Sequence, residues 1–384
     1  MSARVDRRRF LAGMAVGGGA LLTGGGALLT GCSAPTDAVS GAVPAQPRPA
    51  YYPADYDRIV DASKTERRLV IYSNMDTFNW QPIVDGFVKH YPWVEDILTT
   101  NLGSSQVFQR YNAEEAAGQQ QASFLVSGAP QNWVDFANAG KVLDYLSPEL
   151  PHLPDFARTR PGLYTFSSDA IIMMYNKILL APEERPRSLA DLTRLVASDP
   201  ARFKYRLTTY SAGISFGLAI QYAYFRARQQ NWSTFDALLP YTRPEDSSGP
   251  MLDKLASGEY LIGYFVSGPV ILPQMAQLDK VVGWSLISDA TPLFLRGMAI
   301  PAKSPHPNTG KLMLDYILSA EGQANIAGGG FTPYRAGVTA PAGRPTYQSV
   351  LADVGRDNVV VIGYDLGTEA EQDRFTKDWE GRLG

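Results

Sequence analysis

Residues 162–176, GLYTFSSDAIIMMYN, form an apolar run that is long enough to cross from one lobe of a protein to another. A second apolar run, PLFLRGMAI at residues 292–300, has the same character and contains one charged residue, Arg296. Two such crossings predict two lobes that are joined by a two-strand hinge.

Strands and helices alternate on both sides of the first crossing. Before it, an apolar run at residues 68–73 is followed by helical spacing at residues 77–91, and a strand at residues 94–100 is followed by a helix at residues 104–117. After it, a short strand at residues 206–209 leads into another helix. This order predicts an α/β fold with a mostly parallel sheet, in which ligands bind beyond the carboxyl ends of the strands.

The composition of the 384 residues excludes several classes of protein. Hydrophobic residues make up 45% of the chain, which is enough for one or two sizeable cores and excludes collagen-like, coiled-coil and disordered proteins. The 35 basic and 38 acidic residues give a net charge of −3 without a basic patch, so we expect no nucleic-acid partner. The single cysteine excludes an internal disulfide and a thiolate metal cluster, and we expect no cofactor because the common nucleotide and metal motifs are missing.

The N-terminal residues have the pattern of an export signal. Residues 6–11, DRRRFL, match a twin-arginine motif, and residues 29–32, LTGC, match a bacterial lipobox. We therefore expect residues 1–31 to be removed as a signal peptide and Cys32 to carry the lipid that anchors the exported protein to the cell membrane.

The alternative for this region is a single transmembrane anchor. Seven glycines between Gly13 and Gly26 would make the apolar stretch a short and poor span, which favours the signal peptide. Residues 32–50 are rich in Pro, Ala, Ser and Gly, so they are predicted to be a flexible tether between the lipid and the folded protein.

Several short segments occur in a fixed order along nearly the whole chain after residue 32. They are LVIYS at residues 69–73, the SGAP turn and LDYLSP within residues 121–148, YNK at residues 175–177, GEYLIGY at residues 258–264 and PHPNTGKLMLDYILSAEGQ at residues 305–323. In their order and spacing, these segments resemble the extracellular solute-binding proteins of ABC importers, in the branch that includes ferric-binding proteins.

The resemblance implies the type II periplasmic-binding-protein fold, with two α/β lobes and a ligand cleft between them. Residues 51–168 and 299–384 would form lobe 1, and residues 169–298 would form lobe 2. It also implies a monomeric receptor, not an enzyme, whose partners are a small solute or ion and a membrane permease.

Candidate ligand contacts in lobe 1 follow the first and third predicted strands. Ser73, Asn74 and Asp76 lie between a strand and a helix, although Asp76 is equally suited to cap that helix. Ser127 and Gly128 lie in the corresponding turn after the third strand, where small residues allow close approach of a ligand or simply form the turn.

Candidate contacts in lobe 2 are hydroxyl groups near a helix start and one buried cation. Tyr210, Ser211 and Ser215 surround a glycine-containing helix start, and Tyr264 ends a strand. Hydroxyl groups there suit phosphate, phosphonate or carboxylate oxygens, whereas many of the tyrosines must simply pack. Arg296 must be paired with a bound anion or with a structural carboxylate such as Asp289.

The leading hypothesis is an organic or phosphorylated anion, and iron is the alternative. Ferric-binding relatives typically use two adjacent tyrosines in lobe 2, and that pair is missing here. If iron were bound, Tyr210 and Tyr264 would be the expected phenolate ligands.

A serine hydrolase is a remote alternative of another class. Residues 213–217, GISFG, match the G-x-S-x-G motif around Ser215, and Asp289 and His306 follow in the order that α/β-hydrolases use. Against it, no strong strand precedes Ser215 and no oxyanion loop is recognisable upstream.

Overall fold

A computed structural model of the chain describes residues 2–4 and 48–384. The predicted twin-arginine motif, the lipobox with Cys32 and most of the tether lie outside the described residues. Within the described ranges, no helix is both long enough and apolar enough to cross a bilayer.

The described residues form strands and helices in alternation, as an α/β fold requires. The strands are β1 Ser2–Arg4, β2 Arg68–Ser73, β3 Asp96–Asn101, β4 Phe124–Ser127, β5 Arg158–Arg160, β6 Leu163–Asn176, β7 Leu207–Tyr210, β8 Thr242–Glu245, β9 Ile262–Ser267, β10 Val282–Ser285, β11 Thr291–Ala299 and β12 Val359–Ile362. The α-helices are α1 Asp57–Glu66, α2 Thr77–His90, α3 Ser104–Ala116, α4 Pro130–Asn138, α5 Leu189–Ser198, α6 Pro200–Phe203, α7 Ser215–Ala227, α8 Ser233–Leu238, α9 Ser248–Ala256, α10 Gly268–Ile271, α11 Met275–Leu278, α12 Pro307–Leu318, α13 Ala320–Gly328, α14 Tyr347–Val354 and α15 Glu369–Glu380. Short 3-10 helices lie at Leu150–His152, Asp155–Ala157, Pro182–Glu184, Leu239–Tyr241, Leu272–Gln274 and Arg356–Asn358.

The strands join into one continuous sheet in the order β1-β3-β2-β4-β11-β6-β9-β7-β8. β2 runs parallel to β3 and β4 at one end, and β7 runs parallel to β8 and β9 at the other. The two central strands, β6 and β11, are antiparallel to each other. The parallel parts therefore lie on either side of an antiparallel pair.

That central pair connects two separate hydrophobic cores. Tyr164 and Phe166, in the first half of β6, pack in one core, whereas residues 170–174, in the second half, pack in the other. All but one residue of β6 is buried, and all residues of β11 are buried. The predicted crossings at residues 162–176 and 292–300 thus correspond to β6 and β11.

Lobe 1 is built on the first core and on a smaller apolar cluster across the sheet. Trp80 and Phe87 of α2 pack there against helices α12 and α13, and Phe108 and Trp133 pack on the opposite face. The helical spacing that predicts α2 is the reason that its apolar side chains share one face.

Lobe 2 has its own core, and the C-terminal segment contributes to it. Phe375 and Trp379 of α15 are buried there, and the indole Nε1 of Trp379 donates a hydrogen bond of 2.9 Å to Gln221 on α7. The predicted boundary assigned residues 299–384 to lobe 1, whereas the structure packs Val350, Val354, Ile362, Leu366, Phe375 and Trp379 with lobe 2. The difference arises because the chain passes between the lobes a third time, after Tyr334.

Candidate functional site

A cavity of about 540 Å³ lies between the two lobes, at the carboxyl ends of the parallel strands. We call it the cleft. Lobe 1 supplies Asn74, Ser104 and Ser105, and lobe 2 supplies Tyr210, Ser215 and Ser248. Arg296 of the central strand β11 also lines it.

The lobe 1 wall is formed by the loop after β2 and by the beginning of α3. The amide of Asn74 donates a hydrogen bond of 2.9 Å to the Ser104 hydroxyl, which ties the loop to the helix. Ser105 lies beside it and donates to Asn132 over 3.0 Å. The N-cap residue of α3 is Gly103, which has no side chain to accept the free N–H groups of the first turn.

The lobe 2 wall contains the beginnings of α7 and α9. The residue before α7 is Ile214, and the residue before α9 is Ser247, and neither makes a side-chain capping hydrogen bond among the described residues. Tyr210 lies between the two helices, with its hydroxyl hydrogen-bonded to Ser248. Burial raises the pKa of Tyr210 to about 12, so the phenol is neutral at physiological pH.

These helix ends contribute partial positive charge to a cleft whose lining also contains the acid Asp246. Each helix N-terminus carries a partial positive charge and unpaired N–H donors, and three of them open into the same cavity from both lobes. Elsewhere in the molecule several helices, such as α5 and α15, are capped by Ser188 and Thr368 in the ordinary way. Helices away from the cleft, such as α1 and α4, also lack a side-chain cap, so what distinguishes the three ends is that they open into one cavity, where an anionic solute could satisfy them.

Arg296 lies at the floor of the cleft, and only 4% of its surface is exposed. Its Nη2 lies 2.9 Å from the carboxylate of Asp169 on β6, and its Nη1 donates to the side chain of Asn74 over 2.7 Å. The structural carboxylate suggested from sequence, Asp289, is instead at the start of α5, where it accepts hydrogen bonds from the backbone N–H groups of Leu189 and Ala190.

The chain matches a known protein family over most of its length. The sequence model described as "Bacterial extracellular solute-binding protein" matches residues 79–324, which is more than half of the chain. The chain belongs to this family of bacterial extracellular solute-binding proteins. No curated protein sequence matches it.

Solved structures show the fold of this solute-binding protein. A substrate-binding protein of an ABC transporter from Agrobacterium tumefaciens is 20% identical, with a TM-score of 0.72, and the match covers 84% of this chain and 96% of that one. Iron-bound HitA from Pseudomonas aeruginosa is 17% identical, with a TM-score of 0.66 and coverage of 81% and 99%. AfuA from Actinobacillus pleuropneumoniae, with fructose-6-phosphate bound, is 18% identical, with a TM-score of 0.65 and coverage of 82% and 98%. The type II periplasmic-binding-protein fold expected from the sequence is confirmed.

Four of the ten candidate residues of the solute-binding protein line the cleft: Asn74, Tyr210, Ser215 and Arg296. Gly128 lies directly behind it, because a Cβ atom there would be 3.4 Å from both Asn74 and Phe216.

The remaining candidates have other surroundings. Ser73 is buried, donating to the Thr100 carbonyl and accepting from Trp80. Asp76 is the N-cap of α2, which is the alternative that the sequence left open. Ser127 donates to the carbonyl of Ser104 over 2.7 Å and so supports the start of α3 from below.

In lobe 2, Ser211 and Tyr264 also lie outside the lining. The Ser211 hydroxyl accepts a hydrogen bond from the backbone N–H of Gly213. Tyr264 is buried, and its hydroxyl is 3.1 Å from that of Thr242. Tyr210 and Tyr264 are thus engaged with different hydroxyl partners, and burial raises the pKa of both phenols. In the part of the chain that the structure describes, no group of three or more His, Cys, Asp or Glu side chains could hold a metal ion.

The three residues of the hydrolase alternative are not assembled into a triad. The Nδ1 atom of His306 lies 2.9 Å from the hydroxyl of Ser123, which is buried in lobe 1. Asp289 caps α5, and Ser215 lines the cleft. The G-x-S-x-G match therefore has no catalytic base beside its serine among these residues.

Sequence reasoning missed several hydroxyl groups of the cleft. They share a position at the start of a helix or the end of a strand and are Ser104, Ser105, Ser247, Ser248 and Ser267. Paired serines before an apolar helical pattern were the available signal. The pair at residues 247–248 was obscured because β8, with the sequence TRPE, has too little apolar character to be recognised as a strand.

Proposed function

We propose that this solute-binding protein captures an organic or phosphorylated anion in the cleft and delivers it to the permease of an ABC importer. The observation that carries the proposal is the convergence of three uncapped helix N-termini, α3 from lobe 1 and α7 and α9 from lobe 2, on one cavity. An oxyanion placed there would accept hydrogen bonds from N–H groups and from serine hydroxyls in both lobes.

Contacts from both lobes are what would couple binding to closure. A ligand shifts a conformational equilibrium only by its difference in affinity for the two states. An anion that bridges Ser104 in lobe 1 and Ser215 in lobe 2 is bound more tightly when the lobes approach each other. The antiparallel pair of β6 and β11 provides the hinge for that movement.

An anion accounts for the cleft better than ferric iron does. Phenolate oxygens bind Fe(III) as hard anionic ligands. The two phenols proposed for that role have raised pKa values because they are buried, and the Tyr264 phenol does not line the cavity. Uncapped N–H groups are donors and would repel a cation.

The N-terminal segment fits the same role. We include in the proposal that the twin-arginine motif directs export, that Cys32 carries the lipid anchor and that residues 32–50 connect it to the folded protein. The receptor would act as a monomer on the outer side of the cell membrane and would release its solute unchanged.

Isothermal titration with a panel of solutes tests the proposal. The panel contains sugar phosphates, phosphonates, dicarboxylates, uncharged sugars and ferric citrate. We expect at least one anion to bind with a dissociation constant near or below about 1 µM, the equivalent of about −8 kcal/mol. Tighter binding of an uncharged sugar, or of Fe(III) with a phenolate charge-transfer band, would refute it.

Paired variants locate the binding in the cleft. Ser104→Ala and Ser215→Ala each remove one hydroxyl from one wall, and each should weaken the anion about three- to tenfold. Ser198→Ala, an exposed serine on α5, is the matched control and should leave affinity unchanged. Equal affinities in all three variants would place the anion elsewhere.

A further inference from the structure

A second cavity, of about 510 Å³, lies on lobe 2 away from the cleft. Its walls are the end of β6 with Tyr175, the strand β10 with Gly283 and Trp284, and the helical turns around Leu272 and Met275. Residues 342–344, from the third connection between the lobes, close one side. We call it the lobe 2 pocket.

The lobe 2 pocket and the cleft are separate sites. Their linings share no residue. Tyr175 pairs with Ile262 at the beginning of β9, whereas Ser267 at the end of the same strand lines the cleft. The two cavities therefore lie at opposite ends of β9.

Positive charge predominates among the described residues that line the lobe 2 pocket. Lys177, Arg185 and Arg344 face one acid, Asp279, and that carboxylate is already 3.2 Å from the ammonium of Lys177. Among the described residues, Arg185 donates to the carbonyl oxygens of Lys177 over 3.1 Å and Leu180 over 3.4 Å. Neither arginine forms an ion pair within the described part of the chain.

Arg344 is the least compensated of these groups. Its side chain is half-buried, and its Nη1 atom is buried without a hydrogen-bond partner among the described residues. Burial lowers the pKa of Arg344, and none of the carboxylates in the described part of the chain offsets that effect. Removing a guanidinium from water without an acceptor is unfavourable, so an anionic group at this place would relieve a cost that the free protein bears.

The remaining walls suit a flat apolar body. The pocket is lined by the aromatic rings of Tyr175 and Trp284 and by the side chains of Leu272, Pro273 and Met275. The Tyr175 ring lies across the backbone of β10 at Gly283. A Cβ atom at position 283 would be only 2.3 Å from that ring, so the absence of a side chain makes room for it. The guanidinium carbon of Arg185 is 5.9 Å from the centre of the same ring.

From this combination we propose that the lobe 2 pocket is a second binding site, for an aromatic carboxylate. The guanidinium groups of Arg344 and Arg185 would pair with the carboxylate, since the planar fork of an arginine matches its two oxygens. The aromatic ring of the ligand would pack between the side chains of Tyr175, Trp284 and Met275. A volume of about 510 Å³ is ample for such a molecule.

Titration of the full chain with benzoate, followed by ligand-observed NMR and calorimetry, tests the site. Benzamide has the same ring without the charge and should bind at least about tenfold more weakly. Arg344→Gln should weaken benzoate by about tenfold or more. Arg356→Gln, an exposed arginine outside the pocket, is the matched control and should leave benzoate binding unchanged.

Further variants separate this proposal from the function of the cleft. Ser215→Ala should leave benzoate binding intact while it weakens the cleft anion, and Arg344→Gln should do the reverse. If Arg344→Gln fails to fold, as judged by its melting temperature, Arg185→Gln replaces it with the same expected loss. Absence of benzoate binding at 10 mM or below, or equal binding by wild type and both arginine variants, would overturn the proposal, whatever the cleft binds.

Discussion

The guanidinium of Arg296 and the carboxylate of Asp169 form a buried ion pair between the two strands that connect the lobes, with Nη2 2.9 Å from the carboxylate. Asp169 has no exposed surface. Burial raises the pKa of Asp169, and the charge of Arg296 opposes that rise. Because Arg296 also donates a hydrogen bond to Asn74, the pair links the hinge to the floor of the cleft.

Replacing Asp169 by Asn should destabilise the protein strongly. The change leaves Arg296 buried without a counter-charge, and breaking one side of a buried pair costs about 3–5 kcal/mol. Urea denaturation measures the loss. Asp353→Asn, an exposed acid on α14, serves as the control and should shift the unfolding free energy by less than about 0.5 kcal/mol. Similar small shifts in both variants would show that the pair contributes little.

Gly217 and Gly213, the two glycines of the G-x-S-x-G match, should respond differently to alanine. A Cβ atom at Gly217 would lie 2.0 Å from the backbone carbonyl oxygen of Ser211, whereas one at Gly213 would lie 3.3 Å from the Ser211 hydroxyl. Alanine improves helix propensity by about 1 kcal/mol, but the backbone clash at Gly217 outweighs it.

We therefore expect Gly217→Ala to lower the unfolding free energy by about 1–3 kcal/mol and to weaken binding in the cleft by displacing the start of α7. Gly213→Ala should be nearly neutral in thermal and urea unfolding. The result would be contradicted by equal stability of the two variants.

Asp315 should make stability depend on pH. It is buried on α12 and accepts hydrogen bonds of 2.6 Å from the hydroxyls of Tyr56 and Tyr145. Burial raises the pKa of Asp315 to about 7, and the charge of Glu149 adds to the rise. An unfolded aspartate titrates near pH 4, so between about pH 4 and 7 the native state holds a proton that the unfolded chain has released.

The contribution of Asp315 to the free energy of unfolding is therefore greatest in acid and is lost as the pH rises to about 7. Relative to Asp315→Asn, which does not titrate, the unfolding free energy of the wild type should fall by up to about 1.4 kcal/mol per pH unit in that window and level off above it. Urea denaturation at a series of pH values provides the comparison. Parallel pH profiles for the two proteins would contradict the role given to Asp315.

Solution scattering should detect closure of the cleft. The anion found by titration should lower the radius of gyration because its contacts involve α3 in one lobe and α7 and α9 in the other. The Ser215→Ala variant should need a higher anion concentration for the same change in radius of gyration. Any ester hydrolysis, the activity of the hydrolase alternative, should be the same in this variant as in the wild type. A scattering profile that stays constant at saturating anion would argue against movement of the lobes.

Much of the fold follows from periodicity. The bounds of α3 agree within one residue with the helix predicted at residues 104–117, and β6 and β11 coincide with the apolar crossings within one residue. These elements are predictable because burial on all sides or on one face leaves an apolar pattern in the sequence. By contrast, α13 and β12 were missed: α13 is short and contains two glycines, and β12 follows directly after a 3-10 turn.

The cleft was less predictable than the fold. Asn74, Ser215 and Arg296 were recognised because they stand out after a strand, at a helix start and within an apolar strand, respectively. The partner of Arg296 was not, because Asp169 lies far away in sequence and only the register of β6 against β11 brings them together. The assignment of residues 299–384 to lobe 1 did not anticipate that Phe375 and Trp379 of α15 pack in the lobe 2 core, since an amphipathic helix does not specify which of two cores it joins.

Because Trp379 is buried in lobe 2, folding of that lobe depends on the last helix of the chain to be synthesised. Phe225 and Trp232, synthesised about 150 residues earlier, pack against Phe375 of the same helix as that tryptophan. Until α15 has left the ribosome, the lobe 2 core cannot be fully covered. By that stage α13, which packs in lobe 1, has already been synthesised. Chaperones would therefore encounter a chain in which part of the apolar core of lobe 2 stays exposed until the last helix emerges.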